Sequence, residues 1–150
     1  MSSAWSRAFN EYLAPLLRRP AHLQVAALCL RERGKRREVL LISTRRSGRW
    51  IVPRGWPMQG RSLAEAALLE AWEEAGVKGN VDPESIGRFH YRKVGEGGLR
   101  CRVEVFRLKA KKLADDFPEA GERKRKWVSL QRAAKMVHEH ELRALLRALD

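Results

Sequence analysis

The stretch LQVAALCL, residues 23–30, restricts the fold more than any other. None of its eight residues is charged and only Gln24 is polar. A strand with one wet face alternates apolar and polar residues, so a continuous run of this kind belongs to a buried strand. It is far shorter than the roughly 18 apolar residues of a membrane span. No longer run occurs elsewhere, and the N-terminus lacks the basic and apolar regions of a secretory signal.

The other elements are placed around that strand. EVLLIST, 38–44, is strand-like and follows RERGKRRE, whose Gly34 marks a turn; together they predict a hairpin. RWIVP, 49–53, is a short strand closed by Pro53, and Gly55, Trp56, Pro57 and Gly60 supply a loop. IGRFHYRKV (86–94) and RCRVEVFRL (100–108) flank the turn EGG. A charged loop is expected from Lys109 to Glu122, and RKRKWVS (123–129) ends in a short strand. One helix is expected at residues 4–17, where Trp5, Phe9, Tyr12, Leu13 and Leu16 form a stripe that Pro15 kinks or ends. Another starts at residue 63 behind the capping box Ser62–Glu65 and stops at Gly76. One or two more follow Leu130. With no repeat and no linker, the reading is one α+β domain of mixed strands with two or three helices, 21–150, carrying a helical extension at 1–20 that is a candidate homodimer element.

There are 31 Lys and Arg against 18 Asp and Glu, a formal net charge of +13. That excess calls for a polyanionic partner: nucleic acid, an acidic membrane surface or a small molecule dense in phosphate. The cysteines, Cys29 and Cys101, lie in apolar strand-like runs and read as buried thiols of a reducing compartment, so a cytoplasmic protein is expected.

Against this basic background, EAWEEAG (70–76) holds Glu70, Glu73 and Glu74 without a Lys or Arg among them. At about 100° per residue the three fall within an arc of about 100°. The expectation is a helix that buries Ala64, Leu68, Ala71, Trp72 and Ala75 and offers the carboxylates on the opposite side. Glu70 and Glu74 repel each other at i and i+4, a conflict that a bound Mg²⁺ or Mn²⁺ removes. The Gly/Pro loop before the helix, with Arg54 and Arg61, suits phosphate oxygens. A metal held by carboxylates beside such a loop is the arrangement for attack on a phosphoanhydride, with another carboxylate orienting the water.

GWPMQGRSLAEAALLEAWEEAGV, 55–77, resembles the signature box of the Nudix hydrolases and keeps Gly55, Glu70, Glu73, Glu74, Gly76 and Val77 in register. The resemblance extends over about residues 22–149, and RKRKWVSLQRA is most similar to diphosphoinositol polyphosphate phosphohydrolases, whose relatives also cleave dinucleoside polyphosphates. It implies an α/β/α sandwich around a mixed sheet. It further implies Glu70, Glu74 and the Arg54 carbonyl as ligands of Mg²⁺ (or Mn²⁺), and Glu73 as general base or water-orienting group. Arg45, Arg54, Arg100 and Arg123 would contact phosphates. Two box positions depart from the pattern: Arg61 stands for its first Glu and Leu69 for its Arg, and Ala71 is small for its aliphatic slot. Changing both members of a charge pair strands neither, which reads as a coordinated variant with Arg61 facing substrate phosphate.

Glu104, Glu119 and Glu122 are each candidates for an extra ligand. Trp56 is the better candidate for ligand contact and Trp50 for core packing. His138 and His140, with no third ligand near in sequence, read as solvated or capping residues, and the basic turn at 31–37 as a solvated hairpin. The expected function is hydrolysis of a phosphoanhydride in a highly phosphorylated small molecule. The alternatives are removal of a 5′-pyrophosphate from RNA or a non-catalytic nucleic-acid-binding module; a membrane-surface role has only the charge and the N-terminal stripe behind it.

Overall fold

The strand at the start of the chain is buried on both faces because each face meets a different helical layer. In the computed structural model, which describes residues 21–93 and 97–150, it runs as β1, His22–Arg33. The expected helix at 4–17 and Glu96 of the EGG turn lie outside the described residues. Then follow β2 (Arg36–Ser43), β3 (Trp50–Ile51), β4 (Arg54–Gly55), α1 (Leu63–Ala75), β5 (Val77–Lys93), β6 (Leu99–Leu113), β7 (Arg125–Ser129), α2 (Leu130–Met136) and α3 (His140–Leu149). The sheet has the order β3-β2-β1-β6-β5, with β4 also paired to β1 and β7 to β2. It is mixed, as expected: β1 and β6 are parallel from His22↔Cys101 to Leu30↔Lys109, and the other pairings are antiparallel.

Alternate residues of β1 enter opposite cores. Val25, Ala27 and Cys29 join Leu40, Ile42, Phe106 and Leu108 beneath the alanines of α1. Ala26, Leu28 and Leu30 join Val39, Leu41, Val103 and Val105 beneath Leu130, Leu142 and Leu146 of α2 and α3. The architecture is therefore helix, sheet, helix. Gln24, the one polar residue of the run, is buried and accepts a 2.6 Å hydrogen bond from the Tyr91 hydroxyl. Both cysteines are free and buried, and burial pushes the Cys29 thiol up to about 12.

Two elements exceed their expected bounds. β5 begins at Val77, directly after α1, although VKGNVDPES has no apolar alternation. It pairs with β6 through register shifts at Lys78/Gly79, Val81/Ser85 and Ser85/Gly87, and Pro83, which lacks a donor, falls inside an interruption. β6 runs on through KAKKL to Leu113, so the loop expected from Lys109 starts only at Ala114, after a largely exposed strand end.

Candidate active site

α1 is fixed at both ends by its own sequence. Ser62 accepts from the Glu65 backbone N–H, Glu65 accepts from that of Ser62, and Gly76 closes the helix at φ 70°. A Cβ at Gly76 would run into the Phe117 ring, so this left-handed stop is also a packing surface. The loop after β6 is tied to the same helix end. Ala114 N–H donates to Gly76 O and Glu119 N–H to Glu73 O. The Arg125 guanidinium donates to the carbonyls of Ala75 and Ala114 at 3.0 and 2.7 Å.

The glutamates do not lie opposite the buried side of α1, which corrects the expectation drawn from the wheel. Ala66, Ala67, Ala71 and Ala75 are fully buried and Glu74 is 5% exposed, while Leu68, Leu69 and Trp72 are only partly covered. On the wheel Glu70 and Glu74 fall inside the arc from Ala66 to Ala75. The helix thus presses two carboxylates toward the sheet. Gly55 makes room: a Cβ at that position would collide with the Glu70 carboxyl.

Glu74 is held from two directions. The Arg54 backbone N–H donates to Oε1 at 2.9 Å, and Arg123 Nη2 meets Oε2 at 2.9 Å. Burial raises its pKa to about 6 against the pull of Arg123 and that N–H. Glu70 is pushed up to about 8, first by desolvation, then by the neighbouring Glu74 and Glu73. Two acids are therefore packed where at least one prefers its proton, a conflict a divalent cation resolves. Among the described residues no three His, Cys, Asp or Glu side chains are gathered to hold an ion. The donor set is then two carboxylates with backbone, solvent or substrate oxygens, which fits the oxygen-seeking Mg²⁺ and Mn²⁺, Mg²⁺ in particular keeping several waters.

The arginines separate by role. Arg123, only 11% exposed at its side chain, also donates to Ser43 O at 3.2 Å and lies 3.5 Å from Glu119. Arg54 is bonded through Nη1 to Glu139 at 3.1 Å and lies 3.8 Å over the Tyr91 ring. Arg45 is half exposed at the rim and pairs with Glu119 at 2.6 Å and Glu122 at 3.6 Å. Arg100 is exposed at the start of β6, opposite Arg92. Arg61 is not brought to the carboxylates. It lines a cavity of about 460 Å³ with Leu69, Trp72 and Lys78 on the other flank of α1. The two altered box positions, 61 and 69, both line this cavity.

Of the three extra candidates, Glu119 alone bears on the electrostatics of both Glu70 and Glu74. Glu122 sits outward on Arg45, and Glu104 is engaged by the Ser85 hydroxyl at 2.7 Å and by Arg88 at 3.4 Å. His138 and His140 are exposed. Trp50 packs against the α2/α3 core, whereas Trp56 is 41% exposed, with the His22 ring edge-on at 6.3 Å and Lys93 Nζ 5.1 Å above it. Glu139 and Tyr91, which hold Arg54, were not singled out from sequence, because no local pattern links positions 54, 91 and 139.

A family model described as NUDIX domain matches residues 21–149. The chain belongs to the Nudix family. Nudix hydrolase 21, chloroplastic, of Arabidopsis thaliana is 36% identical over 112 residues, covering 74% of this chain and 56% of the relative. Diphosphoinositol polyphosphate phosphohydrolase 3-alpha of Mus musculus is 32% identical over 120 residues, 79% of this chain and 70% of the relative. The chain spans about half the length of the first plant relatives it matches. Among solved structures, C. elegans Ap4A hydrolase superposes with a TM-score of 0.68 at 22% identity, covering 87% of this Nudix chain and 96% of that one, which shows the shared fold. No helix among the described residues is long and apolar enough to cross a membrane.

Proposed function

We propose that the protein is a divalent-metal-dependent hydrolase that cleaves a phosphoanhydride bond in a compact, highly phosphorylated molecule, of the diphosphoinositol polyphosphate or dinucleoside polyphosphate class. The observation that carries this reading is a pair of carboxylates turned toward the sheet, Glu70 half-buried against Gly55 and Glu74 buried between the Arg54 N–H and Arg123, on a Nudix box. A substrate dense in phosphate also matches the net charge of +13 better than a weakly charged one.

In this reading Glu70, Glu74 and the Arg54 carbonyl hold Mg²⁺ or Mn²⁺, which supplies charge neutralisation at the phosphate oxygens and acidifies bound water. Glu73, one turn from Glu70 and fixed through its carbonyl by the Glu119 N–H, orients the attacking water and takes its proton. Arg123 sets the Glu74 carboxylate and offers its remaining donors to substrate phosphate. Arg45 exchanges Glu119 and Glu122 for a phosphate at the rim. Arg54 acts mainly through its backbone, since Glu139 and Tyr91 hold its guanidinium. Arg100 and Arg61 are outer phosphate contacts, Arg61 only for a substrate that reaches past the N-terminus of α1. Trp56 is an exposed platform for the non-phosphate part of the substrate. Residues 21–150 are the catalytic domain, and the two buried thiols suit the cytoplasm.

The test is phosphate release with Mg²⁺ or Mn²⁺ from diadenosine polyphosphates, diphosphoinositol polyphosphates, nucleoside triphosphates and 5′-triphosphate RNA. Metal-dependent turnover of the first two classes, lost in Glu73→Gln and Glu74→Gln, is expected. Turnover of the RNA alone would move the substrate to nucleic acid, and no turnover of any substrate would sink the reading.

A further inference from the structure

Away from this site, at the carboxyl ends of β1 and β6, the sheet opens. The β1–β6 ladder stops at Leu30↔Lys109, yet β1 continues to Arg33 paired with β2, and β6 to Leu113 paired with β5. Gly55 and Arg54 face Val25 and Ala26, so this opening lies about 16 Å further along β1 at ~3.3 Å per residue. In sheets with parallel strands, the crevice beyond their carboxyl ends is a recurrent ligand position. Here it is a cavity of about 630 Å³ lined chiefly by Arg31, Arg37, Arg107 and Lys109, with Leu30 and Glu32.

The charge in this cleft is not balanced. Arg31 is paired with Glu38 at 2.8 Å and stacked over Trp127, whereas Arg37 meets Glu32 only at 3.8 Å and donates to Leu149 O at 3.3 Å. Arg107 and Lys109 have no ion-pair partner among the described residues, and Arg107 Nε is buried without a hydrogen-bond acceptor. Buried N–H groups without acceptors are rare, and each calls for an explanation. The segments 31–37 and 107–112 together hold nine Lys and Arg against one acid, Glu32. The basic turn expected to be a plain solvated hairpin therefore forms one wall of an electropositive cleft.

We propose that this cleft is a second anion site that takes a compact ligand carrying several phosphates, independent of the carboxylate site and of any metal. A concave volume of this size falls in the range of small-molecule sites, ~300–1,000 Å³, and strand ends wall it in, which suits a compact polyanion better than the face of a duplex. Arg107 and Lys109 are its main contacts, and Arg37 joins them through Nη2 by leaving its weak pairing with Glu32, while Nη1 stays on Leu149 O.

The test is calorimetric titration of the full chain with inorganic tripolyphosphate in EDTA at pH 7. Arg107→Gln/Lys109→Gln is expected to weaken binding at least tenfold with an unchanged Tm. Glu70→Gln/Glu74→Gln, and a charge-matched control, Lys135→Gln/Arg147→Gln, should leave it within about twofold. Equal affinity in all variants, loss in the charge-matched control, or no measurable binding by the parent protein would overturn the proposal. So would single-stranded RNA that binds far more tightly than tripolyphosphate and is lost in the same cleft variant, since the ligand would then be a nucleic acid. None of these readings uses turnover, so failure of the hydrolase assignment and failure of this one are separable.

Discussion

The two ends of the β1–β6 pair handle charge in opposite ways. At the amino end these charges are answered: Glu74 by the Arg54 N–H and Arg123 and Arg54 by Glu139, all largely buried, and Arg45 by Glu119 at the exposed rim. At the carboxyl end Arg107 and Lys109 have no ion-pair partner among the described residues, and the acid that lines the cleft, Glu32, is exposed. An answered set is expensive to break, because each removal strands a partner away from water, whereas unanswered surface cations can be neutralised cheaply. The amino end is therefore built around a fixed geometry and the carboxyl end around attraction.

The sharpest way to test that contrast is at the amino end. Glu73→Gln should lower kcat by about 10²- to 10⁴-fold with Tm unchanged; steady-state kinetics beside calorimetry would expose a merely structural role as a shifted Tm. Arg54→Met should cost about 3–5 kcal/mol in urea unfolding by stranding Glu139 (9% exposed at its side chain), and the double change with Glu139→Leu should recover most of it. Gly55→Ala should cost about 1–3 kcal/mol, because the new methyl occupies the place of the Glu70 carboxyl, and should abolish metal-dependent turnover as well.

Metal-free protein should also carry an inverted pH signature. The pKa values of Glu70, about 8, and Glu74, about 6, lie above the usual 4.5. At these two groups the folded state thus binds protons more tightly than the unfolded chain, so their contribution to stability is full below about pH 4.5 and is lost as pH rises toward 8. Tm measured in EDTA from pH 5 to 8 should decline, less so in Glu70→Gln, and Mg²⁺ should restore most at the alkaline end. At the other pole of the comparison, Lys109→Gln should change stability by less than about 0.5 kcal/mol. A larger loss would mean that the carboxyl end is answered after all.

Much of the frame could be read from the chain. The unbroken apolar run of β1 announced a strand covered on both faces, and Ser62, Glu65 and Gly76 delimited α1 to the residue. The carboxylate trio was legible from spacing, but the burial of Glu74 and the partial cover of Glu70 were not. A wheel ranks positions by the polarity of side chains, and it placed Glu70 and Glu74 in water. Their real surroundings come from Gly55, from a backbone donor 20 residues before Glu74, and from Arg123, 49 residues after it. The first half of β5 escaped for a related reason: VKGNVDPES has no strand period, and only the continuous edge of β6 holds it in the sheet through three shifts of register.

The loop between β6 and β7 carries one more consequence. Ala114 and Glu119 are bonded to the backbone of α1 and Gly76, Phe117 sits against Gly76, and Arg125 grips Ala75 and Ala114 together. Such a segment has a fixed length, since an added residue before Glu119 would pull on the end of the helix that carries the carboxylates. Its tip is different: Gly121 has φ 84° and open space around it. A small fluorophore carried by a side chain at the tip would therefore report on the carboxylate site from close by, since Glu119, Glu122 and Arg123 on either side keep their bonds to Arg45 and Glu74.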